Sequence, residues 1–391
     1  MSLTSCTSLA LFCKVVDNFG DIGICWRLAR QLAHEHGIEV TLWVDDLVSF
    51  KRICPAVDID LGQQQINQVT VRHWRNQDGS FAPHDVADIV IEFFACDIPP
   101  NYIQAMLGCS PKPVWLNLEG LSAEEWVEGC HQLSSPHPSF SLTKYFYFPG
   151  FSAKTGGLLL ESDLIERRDN FQQNTAAQAQ FLGQLGATPS ELNAFKISLF
   201  CYPHAPVSEL FEVWKNSDTP ITCFVPEGVA SDSVKSFMQA AGANKGNLGS
   251  AGSYANSGAL TVRVLPFIPQ EEYDKLLWAC DFNFVRGEDS FVRAQWAGRP
   301  FIWHIYPQDN NLHHKKLNAF LQRYSANSNS INALSLYWNE ANSAPLDLPE
   351  VWKELKLALP KLNQMSTNWV AEMRQNGDLA ANLLKFSAAV R

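Results

Sequence analysis

Short, nearly continuous apolar runs alternate with stretches of helical spacing along most of this chain. Residues 8–16, Ser-Leu-Ala-Leu-Phe-Cys-Lys-Val-Val, predict a parallel strand covered on both faces. Similar runs at 39–44, 87–94 and 113–119 continue the series, and the aromatic stretch 145–151 reads as a buried strand and turn. A second series follows at 197–202, 220–225, 260–265, 281–285 and 300–305. Strands alternating with helices predict right-handed βαβ units and parallel sheets, whose ligands sit at the carboxyl ends of the strands.

Residues 161–190 break the pattern, being rich in Glu, Arg, Gln and Ala, and mark an interdomain boundary. The expected organisation is a first domain over 1–175, a second over 190–360, and helices over 361–391 that pack back on the first. Residues 241–258, dominated by Ala, Gly, Asn and Ser, read as a flexible surface loop.

Composition narrows the function. The 391 residues suffice for two domains with their own cores, and 46% hydrophobic with 18% charged residues is a soluble, globular balance. No run reaches the ~20 apolar residues of a membrane helix, and no signal-peptide pattern opens the chain, so a cytoplasmic protein is expected. The ten cysteines never form a Cys-x-x-Cys pair and read as buried free thiols. A net charge of -10 argues against a nucleic-acid partner.

Two turns carry the candidate chemistry. Asp17-Asn18-Phe19-Gly20-Asp21-Ile22-Gly23 places two carboxylates and two glycines where the first strand gives way to a helix. It matches neither Gly-x-Gly-x-x-Gly nor a P-loop, and its acidic residues suit a positively charged acceptor and a general base better than a phosphate. A helix-capping role remains open for both Asp17 and Asp21. Arg286-Gly287-Glu288-Asp289-Ser290 joins a strand to a helix capped by Asp289 or Ser290. There the helix amides and Arg286 suit a diphosphate. A satisfied surface ion pair is the other reading of this turn. Strand-end residues Asp45, Glu92, Cys96, Asp97, Asn117 and Glu119 are further cleft candidates, and Phe267, Gln270 and Tyr306 could contact a base.

The strings 12–23, Phe94-Ala95-Cys96-Asp97, 286–295 and Trp303-His304-Ile305-Tyr306-Pro307-Gln308 resemble the elongation factor P arginine rhamnosyltransferases, the EarP family, over nearly the whole chain. That resemblance implies an α/β fold of the GT-B glycosyltransferase type, two Rossmann-like domains facing across a cleft. It implies inverting transfer of rhamnose from dTDP-β-L-rhamnose to one arginine of translation elongation factor P, in support of polyproline translation, with no metal and no further cofactor. Asp21 is then the general base and Asp17 its neighbour, with Asn18, Phe19, Gly20, Asp97 and Asn117 on the acceptor side. Tyr202, Gln270, Arg286, Gly287, Glu288, Asp289 and Ser290 form the donor set, Glu288 counting also with the catalytic carboxylates, and Phe267 and Tyr306 stack on thymine. Another sugar nucleotide and acceptor, or a non-catalytic translation-factor binder, are the alternatives.

Overall fold

A run of apolar side chains pointing to both faces is stable only inside a covered sheet. β1 (Ser8–Cys13) is accordingly buried from Leu9 to Cys13. In the computed structural model, which describes residues 6–17, 19–75, 79–243, 245–325, 328–341 and 345–391, β1 lies mid-sheet. Lys14 to Asp17, expected to prolong the strand in part, lie beyond it as a loop.

Among the described residues, β2 (Glu39–Val44), β3 (Gln63–Ile66), β4 (Val69–His73), β5 (Ile89–Phe93), β6 (Val114–Leu118), β7 (Ser134–Pro136) and β8 (Thr143–Tyr147) complete an eight-stranded sheet. Its order is β3-β4-β2-β1-β5-β6-β8-β7. Pairing is parallel except at the two edges, where β3 and β7 run antiparallel to β4 and β8. The order reverses between β1 and β5, which opens a crevice at their carboxyl ends. One face packs the helix Gly20–His36 through Leu28 and Leu32. On the other, Phe12 stacks on Trp43 with centroids 5.4 Å apart and planes at 6°.

The second sheet holds β9 (Phe195–Leu199), β10 (Ile221–Pro226), β11 (Tyr254–Ser257), β12 (Leu260–Leu265), β13 (Phe282–Arg286) and β14 (Phe301–His304) in the order β11-β12-β10-β9-β13-β14. All pairs are parallel but β11 with β12. Its switch point lies between β9 and β13. The stretch expected as a loop over 241–258 thus contains an edge strand, whose pairing with β12 outweighs its small polar composition; Asn244 lies outside the described residues.

Two compact units result, one of residues 1–162 with 372–391 and the other of 163–371. The first boundary falls within the expected 161–190 stretch but ahead of residue 175, because the polar helix Leu164–Gln173 belongs to the second unit. Arg168 donates to the Trp296 carbonyl at 2.7 Å, and Gln172 donates to the carbonyls of Trp278 and Ala297 at 3.2 and 3.0 Å. Residues 361–371 also stay there, since the Trp369 indole donates to Gln295 at 2.8 Å. The helix Leu379–Val390 belongs to the first unit, where Leu379 and Leu383 join the core and Arg391 pairs with Asp88 at 2.6 Å. No helix among the described residues is long and apolar enough to cross a membrane.

Candidate active site

In the first unit the chain leaves β1 and turns back at Asp17 to Gly20, where the Gly20 amide donates to the Asp17 carbonyl at 2.7 Å. A Cβ at Gly20 would meet the Asp17 Oδ2 at 2.9 Å, so any larger residue here must push that carboxylate aside. Asp21 sits in the first turn of the following helix, yet does not cap it. Its Oδ2 instead accepts the amides of Val16 and Asp17, at 2.7 and 2.8 Å, from the loop before the helix. The helix N-cap is Phe19, which makes no side-chain capping bond.

Only 4% exposed, the Asp21 carboxyl is held above the usual carboxylate range. Burial is the main cause; the two backbone bonds oppose it, and the charges of Asp17 and Asp45 add to it. Asp45 follows β2 and accepts the Val15 amide at 2.9 Å, which ties the loop to the end of the neighbouring strand. Asn18 lies outside the described residues.

Across the switch point, the turn after β5 is strained: Phe94, Ala95 and Asp97 have φ of 52°, 49° and 55°. Two bonds hold it. Asn117 Oδ1 accepts the Ala95 amide at 2.9 Å, and the Cys96 thiol donates to the Phe12 carbonyl at 3.4 Å. Asn117, itself bonded to Glu119 at 2.6 Å, is 1% exposed and shapes this turn from below, whereas Phe94 and Asp97 are exposed. Glu92 is buried in an ion pair with Lys144 and belongs to the sheet interior.

In the second unit, four strand ends converge on the other turn. Arg286, the last residue of β13, lies over two rings at the end of β9, 4.3 Å from the Phe200 centroid and 4.9 Å from that of Tyr202. Its Nη1 donates to the Cys201 carbonyl at 3.0 Å. Gly287 follows with φ 66°, which glycine adopts without strain, and its carbonyl accepts the Trp303 indole at 2.7 Å. The next helix runs Asp289–Ala297 with Glu288 at its N-cap and no side-chain cap, so neither Asp289 nor Ser290 caps it. Both hydroxyl and carboxylate have other partners: Ser290 donates to the Arg286 carbonyl, and Asp289 accepts the Gln270 amide at 2.9 Å. Gln270 opens the helix after β12. Phe267 after β12 and Tyr306 after β14 keep exposed rings, 38% and 43% accessible, and Tyr306 meets Tyr202 edge-on at 5.8 Å.

Arg286, Tyr202, Tyr306, Gln270 and Asp289 are thus gathered beyond the carboxyl ends of the strands of one unit, and Asp17, Gly20 and Asp21 beyond the carboxyl end of β1 in the other. A model of the elongation factor P rhamnosyltransferase EarP matches residues 9–388. The chain belongs to the EarP family. It is 46% identical over 377 residues to a protein-arginine rhamnosyltransferase of Pseudomonas putida, covering 96% of this chain and 97% of that one. To its counterpart in Pseudomonas aeruginosa it is 44% identical, covering 97% and 98%. Among solved structures, one described as the structural basis for EarP-mediated arginine glycosylation of translation elongation factor EF-P aligns with a TM-score of 0.65 at 33% identity, over 98% of this chain and 99% of that one. A UDP-forming trehalose-phosphate synthase from Burkholderia xenovorans aligns at 0.50 with 8% identity over 98% and 99%, a likeness of fold alone. The fold is two-domain GT-B, and this member of the EarP family is a glycosyltransferase.

Four groups at these sites carry little or no signal of their role in the sequence. Asp45 was seen only as one strand-end carboxylate among several, and its effect on Asp21 depends on the β1–β2 pairing. Phe200 reads as core until Arg286 is placed on it. His304 is signalled only as a polar residue closing an apolar strand, and His204 carries no signal of its own.

Proposed function

We propose that the chain transfers rhamnose from dTDP-β-L-rhamnose to the guanidinium of one arginine of elongation factor P, with inversion, in the cytoplasm. The observation that carries the reading is Asp21, a buried carboxylate held by two amides at the end of β1 with its pKa raised. A guanidinium is a poor nucleophile until a carboxylate orients one nitrogen and takes its proton, and a raised pKa narrows the gap that proton must cross. One nitrogen of the acceptor attacks the anomeric carbon as the bond to the diphosphate oxygen breaks. The electron pair leaves with dTDP, and the displaced proton passes to Asp21.

Arg286 supports the donor half. One of its five N–H groups is engaged by Cys201, and two rings steady the plane, leaving a fork suited to the charge that develops on the diphosphate. The amides at the start of the Asp289–Ala297 helix add donors of the same sense. Exposed Phe267 and Tyr306 offer stacking faces for thymine. No step in this scheme runs through a metal. The test is incubation with elongation factor P and dTDP-β-L-rhamnose, followed by intact-mass spectrometry and peptide mapping. One deoxyhexose on one arginine, α-linked by NMR, is the expected product. No mass shift with this donor would sink the reading.

A further inference from the structure

His304 closes β14 with no exposed surface, beneath Tyr202 and close to Arg286. Its Nδ1 lies 3.2 Å from the Tyr202 backbone nitrogen, and its Nε2 lies 2.9 Å from the Nε2 of His204. A backbone N–H can only donate, so Nδ1 of His304 must carry a lone pair. In a neutral ring the proton is then on Nε2, where it donates to His204. His204 in turn must accept at Nε2 and carry its own proton on Nδ1. One backbone amide therefore dictates the tautomers of both rings.

We propose that His304, held in this single tautomer by His204, is a positioning residue for the sugar-nucleotide side. It anchors the Cys201–Tyr202 turn that seats the Arg286 guanidinium. The link to Arg286 is short: the carbonyl before the Tyr202 amide accepts from Arg286, and the Tyr202 ring lies under the guanidinium. The His204 ring lies parallel to that of Tyr202, at 3° with centroids 6.2 Å apart. Burial above all, and then the positive charge of Arg286, disfavour a proton on His304, in keeping with a neutral ring. The inference rests on the proposal that this turn binds the donor diphosphate.

Two measurements test it. Long-range nitrogen–proton NMR on histidine-labelled full-length protein should find the proton of His304 on Nε2 and that of His204 on Nδ1. The opposite tautomer in His304 overturns the proposal whether or not any variant folds. In steady-state kinetics His304→Leu strands the Tyr202 amide, and the KM for dTDP-β-L-rhamnose should rise on the order of tenfold, with kcat changed far less. His304→Asn, whose Oδ1 can take the Nδ1 position, should recover most of that loss. An unchanged KM in His304→Leu, or equal damage in both variants, overturns it. Absence of donor binding by the unmodified protein would fail the underlying reading instead, and the inference with it.

Discussion

The backbone amide of Asp17 donates to the Asp21 carboxylate at 2.8 Å, so the two acidic residues of the first turn are joined through main chain rather than through a shared proton. Both bonds to Asp21 fall on one oxygen, Oδ2. An asparagine can set its carbonyl oxygen in that position and keep both. Asp21→Asn therefore removes the base and leaves the turn. Transfer to the acceptor should fall by about 10²–10⁴-fold, while donor affinity measured by calorimetry stays near that of the parent. Loss of donor binding would contradict the division of labour.

The same carboxyl links pH to rate and to stability. Its folded pKa is raised, so the stability it contributes is complete below its unfolded pKa and is lost as pH rises through the folded value. Asp21→Asn should then be more heat-resistant than the parent at pH 8, with the difference shrinking toward pH 4 in a series of thermal melts. The rate runs the other way, since a base must be ionised, and transfer should rise with pH across an acid limb. Asp45→Asn withdraws one of the charges that raise Asp21 but keeps an acceptor for the Val15 amide. Its acid limb should lie at lower pH than the parent's. A limb that stays in place would remove Asp45 from the account.

Most parallel strands were legible because doubly covered strands need continuous apolar runs, as in Leu9 to Cys13, though β4 escaped, since Val69-Thr70-Val71-Arg72-His73 buries only Val69 and Val71. β3 was not, since Gln63-Gln64-Gln65-Ile66 is an edge with only one residue buried, and its signal lay in the turn, where Asn67 and Gln68 both take positive φ. The first boundary hid ahead of a helix whose polar side chains look solvent-directed until Arg168 and Gln172 find carbonyl partners. At the candidate site, Asp17, Gly20 and Asp21 stood out by residue type and spacing. His304 did not: its role depends on Tyr202, 102 positions away.

Gly20 offers a test of geometry with the base intact. An added methyl lies 2.9 Å from the Asp17 Oδ2, the end of a side chain that can swing aside, and the residue sits at the start of a helix, where alanine is favoured over glycine. Gly20→Ala should fold as well as the parent, or slightly better, and yet transfer on the order of tenfold more slowly, because Asp17 is displaced beside the base. Equal rates would show that the Asp17 carboxylate has no part in acceptor chemistry.

The donor side depends on two helices being locked together. Arg293 bonds Asp274 through Nε at 3.2 Å and Nη2 at 2.8 Å, with side-chain exposures of 2% and 3%. This pair fastens the helix that begins at Gln270 to the one that begins at Asp289, the two residues that meet at 2.9 Å above it. Arg293→Ala leaves a buried carboxylate without its guanidinium and should cost roughly 3–5 kcal/mol in chemical denaturation. Replacing both partners, as in Arg293→Met with Asp274→Leu, removes the stranded charge and should recover most of that stability. The double variant then separates fastening from chemistry: if the pair acts only by packing the helices, its KM for dTDP-β-L-rhamnose returns close to the parent value. A KM that stays high in a protein of restored stability would mean that the charges themselves orient Gln270 and Asp289.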